Sequence, residues 1–166
     1  MKHTTAFVCL FLFASGALAA APAATNSTVG ATEAGRPRGF GAGAIIGSPT
    51  GLSMKYWLTD MTAIDGALAW HFGDDDRFQI HADHLWHIFV NDLHVPDARL
   101  PLYFGVGLRV LAGNHPEAGV RIPLGLSYLA NRVPVEVFAE IAPVVEFAPD
   151  TDGSVEGGIG VRFYFR

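Results

Sequence analysis

Apolar and polar residues alternate with a period of two from Gly39 almost to the end of the chain. Eight segments carry this alternation, and the breaks between them contain Gly, Pro, Asp, Asn or Ser, as turns do. The segments are Gly39–Gly47, Gly51–Leu58, Thr62–Phe72, Arg77–Ile88, Arg99–Leu111, Ala118–Leu129, Val133–Phe147 and Ser154–Phe165. The longest break is Phe89–Ala98. Because closing the sheet removes exposed strand edges, the pattern predicts an all-β fold, an eight-stranded antiparallel up-and-down β-barrel.

The two faces of these strands differ sharply. The apolar face includes Leu102, Phe104, Val106, Leu108, Leu124, Leu126 and Phe163. The other face is rich in glycine and carries Lys55, Asp65, Arg109, Arg121, Glu136, Glu140, Glu156 and Arg162. Crowded glycines suit the lumen of an eight-stranded barrel, and sparse charges of mixed sign suit groups that must pair when buried. We therefore predict a transmembrane barrel with its apolar face toward lipid. The alternative is a soluble, lipocalin-like barrel with the apolar face inside.

Aromatic residues support the lipid-facing interpretation, because membrane barrels carry them where the apolar band meets the headgroups. Tyr56, Trp70, Phe72 and Tyr128 lie toward strand ends on the apolar face. The sequence therefore predicts an interfacial girdle.

Hairpin geometry predicts which lumen charges meet, because residues equidistant from a turn centre face each other. Turn centres near 60, 131 and 151 place Lys55 opposite Asp65, Arg121 next to Glu140, and Glu140 opposite Arg162. Arg109 then lies level with Arg121. We expect a cluster with Glu140 between two arginines, with Lys55–Asp65 as a second pair.

Composition narrows the class of protein. The chain has 166 residues, a net charge of −5 and only 16% charged residues, against roughly 25% in ordinary soluble domains. Half of the residues are hydrophobic, which excludes a disordered chain, yet no run reaches the ~18–20 apolar residues of a membrane-spanning helix. The acidic balance argues against nucleic-acid binding.

The first 19 residues have the pattern of a secretory signal peptide. Lys2 precedes the apolar run Ala6–Ala14, and Ala17-Leu18-Ala19 forms a cleavage site. Cys9, the single cysteine, lies in that run, so the mature protein is expected to form no disulfide. Residues 20–38, rich in Ala, Thr and Gly, are predicted to be a flexible linker, and 39–166 the barrel.

Candidate chemistry is sparse. His81, Asp83 and His87 share one strand face and are metal-ligand types, but positions 83 and 87 are ~13 Å apart along a strand, too far for one ion. Asp74–Asp76 lacks the alternating ligands and closing Glu of a calcium loop. Gly41–Gly47 has glycines but no following helix, so a nucleotide loop is not expected. We expect no metal and no cofactor.

The arrangement also resembles a known class. The signal peptide, the eight alternating strands, the polar lumen and an aromatic last strand resemble small bacterial outer-membrane barrels of the OmpA/OmpX type. Residues 47–57 (GSPTGLSMKYW) and 63–70 (AIDGALAW) are similar to an uncharacterised family of small secreted barrels of diderm bacteria. Val161, Phe163 and Phe165 resemble the C-terminal signal read by the outer-membrane insertion machinery.

The resemblance implies a location more than an activity. It implies export to the outer membrane of a diderm bacterium, contact with outer-membrane lipid, and a non-enzymatic structural or surface-interaction role with an unidentified surface protein as a further partner. Two alternatives stay open: a soluble periplasmic barrel that binds an apolar ligand, and a lipid- or peptide-hydrolysing barrel enzyme. For the enzyme, His71 near Asp74–Asp76 is the best acid-paired histidine, but no serine lies close to it in sequence.

Overall fold

The computed structural model describes residues 39–71, 77–89, 97–113, 116–149 and 151–165. All of them belong to one unit of the chain, Thr32–Arg166. The predicted signal peptide and linker, residues 1–38, lie outside the described residues, as does the tip Asp74–Asp76. Among the described residues, no helix is long and apolar enough to cross a bilayer.

The described chain is built from ten β-strands. They are β1 (Gly39–Ser48), β2 (Gly51–Trp57), β3 (Thr62–His71), β4 (Arg77–Phe89), β5 (Ala98–Arg99), β6 (Pro101–Ala112), β7 (Glu117–Arg121), β8 (Leu124–Ala130), β9 (Val135–Ala148) and β10 (Asp152–Tyr164). The predicted all-β fold is confirmed, and most of the observed strand ends lie within two residues of the predicted ones.

Two predicted segments are each split into a pair of strands. The fifth divides into β5 and β6 at Leu100, and the sixth into β7 and β8 at Ile122 and Pro123. Proline cannot donate a ladder hydrogen bond, which explains breaks beside Pro101 and Pro123. The carbonyl of Pro123 still accepts a hydrogen bond from the Gly105 N–H at 2.9 Å, so β7 and β8 occupy one position beside β6.

The strands close into a ring. All pairings are antiparallel, and β10 pairs with both β9 and β1, which joins the last strand to the first. With β5 continued by β6, and β7 by β8, the ring has eight strand positions. When the pairings are followed from Gly41 through each neighbouring strand in turn, they lead back to β10 at Ser154. The direct partner of Gly41 in β10 is Tyr164, so the register shifts by ten residues around the ring. Such a stagger is what tilted strands need in order to close.

We call the end of the ring where β1 begins and β10 ends the terminal end, and the opposite end the distal end. The connections β2–β3, β4–β5 and β8–β9 lie at the terminal end. The connections β1–β2, β3–β4, β6–β7 and β9–β10 lie at the distal end.

Side-chain exposure alternates along every long strand. In β4 and β9, for example, buried and exposed residues follow one another for most of the length. The buried positions face into the ring and carry the charged residues, whereas the exposed positions carry large apolar side chains. The protein therefore has a polar interior and an apolar exterior, the reverse of an ordinary soluble domain.

Glycines on the inner face make room for large inward side chains. A Cβ atom added at Gly125 would lie 2.2 Å from the ring of Tyr103, and one at Gly160 would lie 2.3 Å from the ring of Phe138. Phe138 and Tyr103 also pack with Leu85, Ala67 and Ile45 in a small apolar cluster. The glycine-rich inner face is thus filled by side chains from neighbouring strands.

Candidate functional site

The interior of the ring is a set of buried ion pairs. None of the eight charged residues predicted for the lumen is more than 6% exposed; they are Lys55, Asp65, Arg109, Arg121, Glu136, Glu140, Glu156 and Arg162. They come from six different strands, so only closure of the ring brings them together. A charge buried without a partner is very costly, which makes the partners of each group the main question.

Glu136, on β9, is the centre of a network at the terminal end. Its Oε1 accepts hydrogen bonds from Lys55 Nζ, at 2.8 Å, and from the Ser127 hydroxyl. Its Oε2 accepts one from the Tyr164 hydroxyl, and Arg162 Nη1 lies 3.7 Å away. Three hydrogen-bond donors and a nearby guanidinium around one carboxylate compensate for its complete removal from water.

Lys55 and Arg162 extend this terminal-end network across the ring. Lys55 Nζ lies 2.9 Å from His87 Nε2. Arg162 Nη2 donates to Asp65 Oδ2 at 2.8 Å, and its Nε donates to the Ser53 hydroxyl at 2.9 Å. The guanidinium also lies 3.9 Å from the centre of the Phe138 ring. Two cations and two carboxylates therefore balance within this network.

Arg121, on β7, is the centre of a second network toward the distal end. Each nitrogen of its guanidinium donates to a different carboxylate: Nη1 to Asp83, Nη2 to Glu140, and Nε to Glu156 at 3.0 Å. Glu140 also accepts a hydrogen bond from the Tyr103 hydroxyl at 2.9 Å. One buried cation thus holds three buried carboxylates in place.

Arg109 connects this distal-end network to the distal mouth. Its Nη1 donates to Glu156 at 3.1 Å, and its Nη2 donates to Glu117 at 2.6 Å and to Glu146 at 3.1 Å. Gln79 donates to Glu156 at 2.7 Å. The distal-end network therefore joins five carboxylates to two guanidiniums, and Glu117 and Glu146 at the mouth are only partly buried. Arg77 lines the same mouth.

The register of two hairpins differs from the sequence-based prediction. Glu140 faces Gly125 and Gly158 rather than Arg121 and Arg162, and the partner of Arg162 across β9–β10 is Glu136. The prediction that Glu140 lies between two arginines is therefore wrong for Arg162. The ion pair with Arg121 does form, because long side chains reach across rows. The shift arises because the true turn centres lie one to two residues away from those assumed.

The other pairs also differ in part from expectation. Lys55 is opposite Asp65 in the β2–β3 register, as expected, but its ion pair is with Glu136 while Asp65 pairs with Arg162. Arg109 faces Gly119 rather than lying level with Arg121, whose β6 partner is Gly107.

His81, Asp83 and His87 all point into the ring and are buried; His81 Nε2 lies 3.9 Å from Asp83 Oδ2, but His87 does not join them. Asp83 binds Arg121, and His87 lies against Lys55 at the terminal end. In the parts of the chain that the structure describes, no group of three or more His, Cys, Asp or Glu side chains is arranged to hold a metal ion.

The residues predicted to face lipid all lie on the exposed face. Leu102, Phe104, Val106, Leu108, Leu124, Leu126 and Phe163 are between 41% and 54% exposed. Val161, Phe163 and Phe165, the predicted insertion signal, are also exposed at the end of the last strand. Phe165 stacks against Phe40 across the β10–β1 seam, with ring centres 6.2 Å apart.

Several members of the networks were not predicted as such from the sequence. Asp83 is predicted as a possible metal ligand or as a polar group of the lumen, and the sequence does not single out the acceptor hydroxyl of Ser53 or the donor hydroxyls of Ser127, Tyr103 and Tyr164. All five occupy inward-facing positions of their strands, so the alternation of the sequence places them on the lumen side. Partner choice, however, depends on contacts between strands far apart in sequence.

Comparison with known proteins finds similarity in structure. The chain is similar to the crystal structure of the N-terminal β-barrel domain of Pseudomonas aeruginosa OprF, with a TM-score of 0.54 and 17% sequence identity over 76% of this chain and 95% of that chain. No protein-family model matches the chain. No curated protein matches it either. The structural likeness shows the fold: the closed ring is a β-barrel.

Proposed function

We propose that this protein is an outer-membrane β-barrel with a non-enzymatic structural or surface-interaction role. The proposal rests on the composition of the outer surface. Within the described strands, the outward-facing positions contain no Asp, Glu, Lys or Arg, and large apolar side chains there are about half exposed. In water such a continuous apolar surface would drive association, whereas in a bilayer it is the favoured exterior.

Aromatic residues border this apolar surface at both ends. Phe40, Tyr56, Trp86, Phe104, Tyr128 and Phe163 are exposed toward the terminal end. At the distal end, Trp70 and Phe78 lie side by side with ring centres 5.2 Å apart, and Phe147 is exposed near the end of β9. Aromatic residues at both borders support a membrane-spanning band, since Trp and Tyr prefer the level of the headgroups.

The interior supports a structural role. The two networks extend through the lumen from the level of His87 to that of Glu117, and the apolar cluster around Phe138 packs beside them. An apolar ligand would have to displace these ion pairs, so the soluble, ligand-binding alternative is not favoured. The lumen carboxylates are held by Arg, Lys and Tyr donors, which leaves them as structural groups rather than as general bases.

The proposal includes a route to the membrane. The N-terminal 19 residues would direct export, and the apolar alternation of Val161, Phe163 and Phe165 would be read by the outer-membrane insertion machinery. The predicted partners are therefore membrane lipid and, during assembly, that machinery.

Cell fractionation with gel analysis tests the proposal. We expect the protein in the outer-membrane fraction, with a mature N-terminus at Ala20 and a band whose mobility changes on boiling, because a closed barrel resists unfolding by detergent. A matched control replaces Phe163 and Phe165 with Ala, which should lower the amount in the membrane without changing export. Recovery of a monomer in the soluble periplasmic fraction would contradict the proposal.

A further inference from the structure

Within the described strands, a histidine stands among the apolar side chains of the outer face. His84, on β4, points outward between Ile64 of β3 and Val106 of β6, which are its direct partners in the sheet. Both partners are 45% exposed, so the imidazole lies within the apolar surface and not in a turn. An ionisable group inside a membrane is expensive to retain and is a functional-site hypothesis by default.

The contact between the imidazole and Trp86 indicates the direction in which the His84 side chain leans. The ring centres of His84 and Trp86 are 4.5 Å apart in an edge-to-face contact. Side chains two residues apart on a strand start ~6.6 Å apart, so the two rings lean toward each other. Trp86 is the residue nearer the terminal end, and it stacks on Phe104 at 5.6 Å. His84 therefore leans out of the apolar band toward the aromatic border.

The imidazole of His84 makes no hydrogen bond within the part of the chain that the structure describes, and it contacts the ring of Trp86. Its ring N–H must find an acceptor outside the chain, because an unsatisfied polar group costs several kcal/mol in hydrocarbon. Acceptors at this depth, just inside the level preferred by Trp, are the ester carbonyls of lipids. A phosphate would lie farther toward water.

We propose that His84 donates a hydrogen bond to an ester carbonyl of a membrane lipid, and that His84, Trp86 and Phe104 form a lipid-binding site at the terminal-end border of the apolar band. This inference rests on the proposed membrane location. The two aromatic rings supply a flat apolar surface for the first part of the acyl chain, and the imidazole fixes its ester group. The site would retain one lipid more tightly than the surrounding surface does.

Vesicles of two compositions test the contribution of the ester carbonyl to stability. Vesicles of diester phosphatidylcholine are compared with vesicles of diether phosphatidylcholine of equal chain length, which keep the phosphate and lack the carbonyls. Wild type, His84→Leu and the control Val106→Leu are refolded into both, and unfolding is followed in urea. His84→Leu is expected to fold, because leucine is well tolerated on a lipid-facing surface.

The wild type and Val106→Leu should each show an unfolding equilibrium constant about threefold to tenfold larger in diether than in diester vesicles, the worth of one hydrogen bond. His84→Leu should unfold equally in both. Equal stability of the wild type in both vesicles, or a difference that persists in His84→Leu, would overturn this inference alone. A wild-type dimer that dissociates on His84→Leu would also overturn it, in favour of a second copy as partner. Failure of the wild type to insert into either vesicle would refute the membrane proposal and this inference together.

Discussion

Arg121 is the residue on which the distal-end network depends most. It donates to Asp83, Glu140 and Glu156, whereas Glu140 is bound, among the described residues, by Arg121 and the Tyr103 hydroxyl. Removing the arginine leaves three buried carboxylates without their shared cation. We predict that Arg121→Ala destabilises the folded barrel by about 3–5 kcal/mol and by more than Glu140→Ala does.

Urea unfolding of the refolded variants measures this order. The ion pair between Arg132 and Asp97 provides the control, because both side chains are mostly exposed and Arg132→Ala should change stability little. Hairpin geometry alone, which places Glu140 between two arginines, predicts the opposite order, with Glu140 as the more sensitive residue. A smaller loss for Arg121→Ala than for Glu140→Ala would show that the distal-end network is not centred on the arginine.

Gly107 tests how tightly the lumen is packed. A Cβ atom at this position would lie 2.0 Å from Asp83 Oδ1 and 2.2 Å from the carbonyl oxygen of Ala82, so backbone would have to move. We predict that Gly107→Ala lowers the free energy of unfolding by about 1–3 kcal/mol, as overpacking does. Gly153→Ala is the matched control, since its nearest neighbour is 4.0 Å away. Equal stability of the two variants in urea would contradict this packing.

For single residues, the sequence predicts which side chains lie in the lumen better than it predicts which of them pair. Inward parity identifies Glu136 and Arg162 as lumen residues, because alternation alone decides which face a side chain occupies. It does not identify Tyr164 as a donor to Glu136, since that contact needs the distance between two strands and the lengths of both side chains.

At the scale of elements, the β1–β10 seam decides whether the ring is closed. Gly43 faces Arg162 across this seam, and a Cβ atom there would lie 1.8 Å from the carbonyl oxygen of Val161. We predict that Gly43→Val weakens the seam by about 2–3 kcal/mol, because backbone of β10 must move away. Ala44→Val, at the next position on the exposed face, should behave like wild type.

Mobility on gels before and after boiling measures seam closure. Gly43→Val should lose the compact, boiling-sensitive band at a lower detergent or urea concentration than Ala44→Val. If both variants keep that band to the same concentration, the seam does not limit the stability of the ring.

Element boundaries follow closely from the sequence, whereas register does not. Turn residues such as Ser48-Pro49-Thr50 mark strand ends, and period-two alternation marks the strands between them. Register depends on the centre of each turn, and an error of one or two residues there moves facing pairs by two to four positions. The β7–β9 pairing also contains an irregularity between Ala118 and Gly119, which sequence alternation does not reveal.

At the scale of the whole molecule, the barrel has charge inside and apolar residues outside. This arrangement was predicted from two features of composition, glycine on the polar face and few charges of mixed sign. The physical reason is that a solvated surface would carry many more Lys and Glu residues. Sequence alone could not show how the charges divide, with two cations and two carboxylates in the terminal-end network and two guanidiniums and five carboxylates in the distal-end network.

Val106→Arg tests the outer face as a whole. Val106 lies in the middle of β6 and is exposed. Val106 pairs with His84 and lies two residues inside Phe104, so arginine there should destabilise the barrel, but by less than the ~2–4 kcal/mol expected at the bilayer midplane. The same substitution in the turn that follows β6, Gly113→Arg, should lower the stability less because the side chain reaches water. Unfolding in vesicles checks the difference, and equal losses at the two positions would mean that Val106 does not face hydrocarbon.

Collision measurements on a spin label test the central claim most directly. The single native cysteine, Cys9, lies in the predicted signal peptide, so one cysteine can be introduced into the mature chain at Val106 and another, separately, at Thr59 in the β2–β3 turn. In vesicles, the label at position 106 should collide often with oxygen, which dissolves in hydrocarbon, and rarely with a water-soluble nickel chelate. The label at position 59 should show the reverse. Frequent collisions of the chelate with the label at position 106 would contradict a lipid-facing outer surface.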